Sequence, residues 1–324
     1  MTSYWNNYPT IQNKLQAVCS YLEENVAINN EIISKTLVDF ARSGGKLLRP
    51  ALCLLFAELN PNHDEEKMTK IAASLEMLHM ATLIHDDIID DSPLRRGAIT
   101  VQAQFGKDIA VYAGDVLFTK FFETLISVMN GSEYLAYNAR TMRRILMGEL
   151  NQMTIRFKTD EKFTDYLRSI NGKTAELFYL ACKEGAYFSG CSPQVVRLAS
   201  RIGRNIGLAF QIYDDILDYT ADKATLKKPI LEDLGQGIYT LPLILVKDQY
   251  PEIFAPYLNK KNQITQAEIE EVAKLVVQYG GVEQAKVIAQ KITKKALEDI
   301  KKLPDGIAKD NIHQLTMDLL NRQY

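Results

Sequence analysis

The chain has 324 residues, with 38 basic and 40 acidic side chains and a formal net charge of −2. A chain this close to neutrality has no excess of positive charge with which to hold a nucleic-acid backbone, so we expect no nucleic-acid partner. Hydrophobic residues make up 47% of the chain and charged residues 24%, as in a globular protein with a large core.

The N-terminus lacks the basic region and apolar core of a signal peptide. No uninterrupted apolar run approaches the ~18 residues that cross a bilayer. The four cysteines form no C-x-x-C pair, and we interpret them as buried hydrophobic residues rather than disulfides or zinc ligands. We therefore predict a cytoplasmic protein.

Apolar residues recur at helical spacing along nearly the whole chain. Stripes with three- and four-residue steps occupy 68–82, 117–129, 145–157, 163–187, 195–219 and 264–297, and each predicts a helix. Period-two alternation is weak. The glycines and prolines that interrupt the stripes are spread evenly, without a long linker or a repeat. The sequence predicts one all-α domain of ten or more helices over residues 1–324.

Three aspartates end the first stripe: Asp86, Asp87 and Asp90. On a helix, positions i and i+4 share a face, and position i+1 lies ~100° round from it. A second cluster repeats this spacing late in another apolar stripe: Asp214, Asp215 and Asp218. Solvated residues at a helix end would explain one such cluster, but two copies inside apolar stretches favour a functional site.

Carboxylates at this spacing raise one another's pKa values unless a cation offsets their repulsion. Oxygen ligands select a hard ion, and Mg²⁺ commonly bridges carboxylates to substrate phosphates. Two facing clusters would therefore hold a diphosphate through Mg²⁺ and make it a better leaving group, because the charge that develops is already neutralised.

Basic residues that suit phosphate oxygens lie near both clusters. They are Lys46, Arg49, Arg95, Arg96, Lys173, Lys227 and Lys228. Taken singly, Lys46 and Lys228 could be ordinary exposed lysines. Arg95 and Arg96 could balance the charge of Asp90 and Asp91. Together with the aspartates, they predict two diphosphate sites, one bound through metal and one bound directly by cations.

These motifs resemble the trans-polyprenyl (isoprenyl) diphosphate synthase family, and within it the bacterial medium- and long-chain members such as heptaprenyl and hexaprenyl synthase catalytic subunits. The similarity runs from about residue 44 to residue 242, with a weaker echo at 303–306. It rests on Gly-Gly-Lys-x-x-Arg-Pro, both Asp-Asp-x-x-Asp clusters, Arg-Arg-Gly, Gly148-Glu149-x-x-Gln152, Lys173-Thr174 and Phe210-Gln211. It implies a helical bundle of isoprenoid synthase type around an apolar cavity, and a prenyltransferase that condenses isopentenyl diphosphate with an allylic diphosphate.

The resemblance also implies roles for individual residues. Both aspartate clusters would hold about three Mg²⁺ ions on the allylic diphosphate. Isopentenyl diphosphate would bind Lys46, Arg49, His79 and Arg96, and the allylic diphosphate would bind Arg95, Lys173 and Lys228. Thr174 and Gln211, together with Lys173, would line the cation formed when diphosphate leaves. Family members often carry a lysine where this chain has Ile238, so one allylic contact is expected to be missing.

The helix before Asp86 bears on product length. One isoprene unit is about as long as one helical turn, ~5.4 Å, so each turn can gate one more unit. Ala81 and Thr82 lie one turn before Asp86 and are small, where short-chain family members typically carry an aromatic residue; Met77 lies a further turn away. The alternative is that Ala81 only lets two helices pack closely. We expect a product longer than farnesyl, in the range of about C20 to C40, for quinone or other isoprenoid biosynthesis.

Three other functions remain to be weighed. A class I terpene cyclase also uses one Asp-Asp-x-x-Asp cluster, but it lacks a Gly-Gly-Lys-x-x-Arg-Pro site for a second substrate. A silent regulatory subunit has no reason to keep both clusters. Glu76-x-x-His79 fits a di-iron bundle, which needs a second copy that this sequence lacks. The resemblance further implies a homodimer, or a heterodimer with a small non-catalytic subunit, and transient membrane contact during product release.

Overall fold

The computed structural model describes residues 3–28, 30–42, 45–95, 97–220 and 231–320, without the side chains of Ser3, Ile32 and Glu232. Helices account for most of this part of the chain, which confirms the all-α prediction. They are α1 (Pro9–Asn25), α2 (Glu31–Arg42), α3 (Leu48–Ala57), α4 (Glu65–Ile89), α5 (Val101–Phe105), α6 (Lys107–Met129), α7 (Glu133–Ile155), α8 (Phe163–Ile170), α9 (Glu176–Phe188), α10 (Pro193–Thr220), α11 (Glu232–Gly235), α12 (Leu241–Lys247), α13 (Pro251–Leu258), α14 (Gln266–Gln278), α15 (Gly281–Ile300) and α16 (Ile307–Leu320).

Shorter elements join these helices. Two 3₁₀ turns occupy Ser3–Asn7 and Lys261–Gln263, and a π-helical turn at Asn171–Ala175 links α8 to α9. The strands β1 (Leu94–Arg95) and β2 (Ala98–Ile99) form an antiparallel hairpin just after α4. The sequence did not predict this hairpin, because two-residue strands are too short to show period-two alternation.

The chain divides into two compact units. Unit 1 comprises Met1–Ala139, Leu180–Ser200 and Leu303–Ile312, and unit 2 comprises Arg140–Tyr179, Arg201–Lys302 and His313–Tyr324. Helices α7, α9, α10 and α16 each contribute residues to both units. The single domain expected from the sequence stays a prediction.

Unit 1 is organised around α4. The carboxylate of Asp64 caps its first turn by accepting from the backbone N–H of Lys67, and Glu65 and Glu66 favour the same end of the helix dipole. Most of the helix is buried on all sides, as expected for a central helix. It packs most extensively against α6. At Gly114 of α6 a Cβ atom would lie 2.3 Å from Nε2 of His85, so the glycine is what lets the two helices approach there.

Unit 2 has its own apolar core around the short buried helix α12, which packs against α15. The helical stripe over 264–297 spans two helices, because Gly280 adopts a left-handed φ of +79° and separates α14 from α15. A Cβ on the next residue, Gly281, would lie 2.3 Å from the carbonyl oxygen of Pro242, so α15 starts in close contact with α12. Among the described residues, no helix is long and apolar enough to cross a membrane.

Candidate active site

The first aspartate cluster lies at the C-terminal end of α4. Asp86 is half-buried and Asp90 is exposed, whereas Asp87 is only 2% exposed. The i and i+4 carboxylates therefore remain accessible on one face of the helix, and the i+1 carboxylate turns into the protein. An accessible oxygen pair on one face suits a hard divalent ion, so Asp86 and Asp90 fit Mg²⁺ as ligands.

Arg95 of β1 binds the buried member of this cluster. Its Nε donates to both carboxylate oxygens of Asp87 at 2.8 and 2.9 Å, and its Nη2 lies 2.8 Å from Oδ1. Such multidentate guanidinium–carboxylate contacts fix the guanidinium in position. The unpredicted hairpin thus holds Arg95 beside the accessible carboxylates. The expected neighbour, Arg96, lies outside the described residues.

The segment that carries Lys46 and Arg49 is held by the N-terminus. The indole N–H of Trp5 donates to the carbonyl of Lys46 at 2.8 Å, and the Lys46 ammonium lies 4.8 Å from the centre of the Tyr4 ring. Leu47 then adopts a left-handed φ of 49° before α3 begins, and Arg49 lies in the first turn of that helix. Trp5 is fully buried. Sequence reasoning missed its supporting role, although it is the only tryptophan in the chain.

One of the expected isopentenyl residues, His79, and the expected chain-length residues share helix α4 with the first cluster. His79 is half-buried, two turns before Asp86. Ala81 and Met77 are fully buried, and the sulfur of Met77 lies 3.9 Å from the hydroxyl oxygen of Thr124 on α6. Thr82 is half-buried, and its hydroxyl donates to the His79 carbonyl at 2.8 Å.

The second cluster, on α10, has the same division of exposure. Asp214 is exposed and Asp218 is half-buried, whereas Asp215 is 4% exposed. One oxygen of Asp215 accepts from Nε2 of Gln211 at 2.8 Å, and the other accepts from the hydroxyl of Tyr166 at 2.6 Å. Burial raises the pKa of Asp215 well above its ordinary value, and these two hydrogen bonds oppose the rise. Asp214 and Asp218 fit Mg²⁺ on the same grounds as the first pair.

Lys173 and Thr174 lie in the π-helical turn. Such one-turn π segments commonly occur at functional sites. The Lys173 ammonium lies 3.0 Å from Oε2 of Glu149 and donates to Oε1 of Gln152 at 3.2 Å. The Thr174 hydroxyl donates to Oε1 of Gln211 at 2.6 Å. The Gly148-Glu149-x-x-Gln152 motif, to which the sequence assigned no role, therefore supplies the two partners that orient Lys173.

A small cavity of about 60 Å³ adjoins these residues. Its lining includes Lys173, Gln211, Asp215 and Ile238. Ile238 thus lies beside the candidate catalytic residues, where the family often has a lysine. The basic residues Lys227 and Lys228, expected on the same side of the second cluster, lie outside the described residues.

A second potential metal-binding group lies around the start of α4, whereas the first cluster lies at the end of that helix. Ligand atoms of Glu58, His63 and Glu65 lie within 4.8 Å of one another. The ammonium of Lys14 already contacts both carboxylates, at 2.7 Å from Glu58 and 2.6 Å from Glu65. The single ammonium partly offsets the two carboxylate charges and links α1 to the start of α4, so we interpret the group as structural.

Comparison with known proteins adds to this geometry. A model of the polyprenyl synthetase family matches residues 30–276. Heptaprenyl diphosphate synthase component 2 of Geobacillus stearothermophilus is 31% identical over 323 residues, covering 96% of this chain and all of that protein. The structure of geranylgeranyl pyrophosphate synthase from Lactobacillus brevis superimposes with a TM-score of 0.94 and 41% identity, covering 99% of each chain. The structure of heptaprenyl diphosphate synthase from Staphylococcus aureus superimposes with a TM-score of 0.92 and 31% identity, covering 96% of this chain and 98% of that one.

Proposed function

The chain belongs to the polyprenyl synthetase family and is a prenyltransferase, and from this premise we propose which of its residues perform the reaction. The resemblance drawn from the motifs is confirmed, as is elongation of a prenyl chain. The substrates are isopentenyl diphosphate and an allylic diphosphate, joined in a trans 1′-4 linkage. One observation supports the site assignment above the others: each aspartate cluster keeps its i and i+4 carboxylates accessible and its middle carboxylate buried.

The accessible aspartates Asp86, Asp90, Asp214 and Asp218 would hold Mg²⁺ on the allylic diphosphate. When bound, the metal neutralises the charge that develops on the leaving diphosphate. Asp87 has a different task, because its carboxylate is already occupied by Arg95. Among the six aspartates expected to bind metal, the two middle ones are thus better suited to orienting neighbouring side chains.

The basic residues would bind the two substrates separately. Lys46, Arg49 and His79 would hold isopentenyl diphosphate, joined by Arg96, and Arg95 and Lys173 would hold the allylic diphosphate, joined by Lys228. The bond between C1 of the allylic chain and the diphosphate oxygen breaks, and its electron pair leaves with the diphosphate. The double bond of isopentenyl diphosphate attacks C1, and the departed diphosphate takes the proton that restores a double bond. Thr174 and Gln211 would face the intermediate positive charge.

We further propose a product longer than C15. Ala81 is fully buried on α4, one turn before Asp86, and its single methyl group leaves room where a larger side chain would stop a growing tail. In the expected range of about C20 to C40, each added unit would pass one further helical turn.

The proposed partner is a second copy of the chain. In unit 1, Tyr112 and Ile126 of α6 are 71% and 53% exposed. In unit 2, Leu146, Leu150 and Met153 of α7 are exposed at helical spacing. Apolar faces of this kind mark protein interfaces. The relative from Geobacillus stearothermophilus is named as one component of a synthase, so a heterodimer with a small non-catalytic subunit is the alternative. Light scattering that gave the 36.7 kDa of one chain at micromolar concentration would refute the homodimer.

Transient membrane contact during product release and a cytoplasmic location stay predictions.

The experiment is to incubate the purified chain with Mg²⁺, labelled isopentenyl diphosphate and farnesyl diphosphate, and to size the dephosphorylated products by chromatography. The account predicts labelled chains longer than C15 that disappear when EDTA removes the metal. A cyclase would instead release a hydrocarbon from the allylic substrate without incorporating label. Absence of incorporation, with or without an added small subunit, would refute the proposed function.

A further inference from the structure

Four side chains of unit 2 form a continuous hydrogen-bonded series. The Tyr166 hydroxyl donates to Oδ2 of Asp215, Nε2 of Gln211 donates to Oδ1 of Asp215, and the Thr174 hydroxyl donates to Oε1 of Gln211. The three distances are 2.6, 2.8 and 2.6 Å. Tyr166, Asp215 and Thr174 are all buried, so water does not compete strongly for these groups.

The direction of the bonds in the series follows from the amide group of Gln211. Its nitrogen can only donate, and it lies 2.8 Å from Oδ1 of Asp215. Once the amide nitrogen of Gln211 faces Asp215, its carbonyl oxygen must face Thr174. That oxygen can only accept, so the single hydroxyl proton of Thr174 is committed to Gln211.

The consequence lies at the Thr174 oxygen. A hydroxyl that has donated its only proton can offer nothing but lone pairs to any other group. Its dipole then has a fixed negative end, held by buried partners that do not need to rearrange during the reaction. Such preorganised dipoles are among the most effective stabilisers of a charge that develops in a transition state.

We infer that Asp215, held by Tyr166, is a positioning residue that acts through Gln211 to aim the lone pairs of Thr174 at the developing allylic cation. Asp215 thus serves the reaction without ligating Mg²⁺, because both of its oxygens are engaged by protein donors. Tyr166 gains a role that no motif in the sequence indicated. This inference rests on the proposed function, since it needs an allylic cation for Thr174 to face.

The anchoring of Asp215 differs from that of its counterpart in the first cluster. Asp87 is bound by a guanidinium, a permanent cation that takes both of its oxygens. Asp215 is bound by two neutral donors, one of which continues to a second hydroxyl. The second cluster is therefore linked through a hydrogen-bonded series to a residue proposed to face the substrate carbon.

The test is a double-mutant cycle on kcat for incorporation of labelled isopentenyl diphosphate at saturating Mg²⁺. Tyr166→Phe removes one hydroxyl and keeps the ring, so we expect kcat to fall about tenfold in the wild-type background. The same change should have almost no effect in a Thr174→Val background, where no hydroxyl remains to be aimed. Thr174→Ser keeps the hydroxyl, and in that background Tyr166→Phe should again cost about tenfold.

A second readout separates positioning from metal binding. Tyr166→Phe and Asp215→Asn should leave the Mg²⁺ concentration for half-maximal rate within about twofold of wild type, whereas Asp214→Asn should raise it at least about tenfold. Circular dichroism and thermal unfolding establish that each variant is folded before its kcat enters the cycle. If Tyr166→Phe fails this check, Asp215→Asn replaces it in the cycle, because it changes the group that holds the Gln211 amide and carries the same expectation.

Two results would overturn the inference while leaving the proposed function intact. One is an equal loss of kcat from Tyr166→Phe in the Thr174→Val and wild-type backgrounds. The other is a raised Mg²⁺ requirement in Asp215→Asn that matches that of Asp214→Asn. A wild-type chain that incorporates no label refutes the proposed function, and the positioning role with it.

Discussion

Gly148 of α7 and Gly172 of the π-helical turn are in direct backbone contact: a Cβ on Gly172 would lie 3.0 Å from the Cα of Gly148. A Cβ on Gly148 would in turn lie 2.8 Å from the backbone nitrogen of Lys173. The two elements can approach this closely only because neither glycine has a side chain. This contact brings Glu149 and Gln152 within reach of the Lys173 ammonium.

Gly148→Ala should therefore push the π-helical turn away from α7 and displace Lys173. We expect the free energy of unfolding to fall by about 1–3 kcal/mol, as for other overpacked sites, and the KM for the allylic diphosphate to rise at least about tenfold. Chemical denaturation and steady-state kinetics measure the two effects. Ala136→Ser, at an exposed position of the same helix, is the control and should change neither quantity appreciably. An unchanged KM in Gly148→Ala would contradict the role given to this contact.

Ala81→Phe should shorten the product. The added ring would enter the buried interior one turn before Asp86, and a growing tail would meet it after fewer condensations. Chromatography of dephosphorylated products should show a main chain shorter than that of wild type by at least one isoprene unit. Ala81→Ser adds a single oxygen and should keep the wild-type length. Identical products from wild type and Ala81→Phe would show that Ala81 only allows close helix packing.

Glu184 should make stability depend on pH. The residue is fully buried in unit 1, and burial raises its pKa from 4.5 to about 8, although Asn138 donates to Oε1 at 2.5 Å. As pH rises above about 4.5 the unfolded chain loses this proton, while the folded chain keeps it until about pH 8. The unfolded state therefore binds fewer protons over this window, and the free energy of unfolding falls as pH increases.

Glu184→Gln removes this titration and can keep the hydrogen bond from Asn138. Urea unfolding of both proteins at pH 5.5 and pH 8 isolates the contribution of Glu184, because all other titrating groups are shared. We expect the stability of the variant relative to wild type to increase by about 1–3 kcal/mol between the two pH values. Parallel stability curves would show that Glu184 is ionised in the folded protein throughout this range.

The sequence predicted the fold class and placed both aspartate clusters on helix ends, because each depends on helical periodicity that is local in the chain. It also treated the three aspartates of each cluster as equivalent. Their difference in burial depends on partners that helical periodicity does not reveal: Arg95, 8 residues after Asp87, and Tyr166, 49 residues before Asp215. Tyr166 and Trp5 escaped notice because a single aromatic residue in a helical stripe looks like ordinary core.

The hairpin and the Gly280 break were missed for a related reason. A two-residue strand contains a single period of alternation. A glycine pair within a continuing apolar stripe interrupts the helix without interrupting the hydrophobic pattern. In both cases the backbone conformation changes over fewer residues than a periodic signal needs to become visible.

We propose that this chain elongates an allylic diphosphate with the accessible carboxylates of its two clusters. The most direct measurement is the rate at which labelled isopentenyl diphosphate enters longer prenyl chains, compared between wild type, Asp86→Asn and Asp214→Asn at saturating Mg²⁺. The account predicts Mg²⁺-dependent incorporation by wild type and losses of at least about 10²-fold in each variant. Incorporation by either variant at the wild-type rate would contradict it.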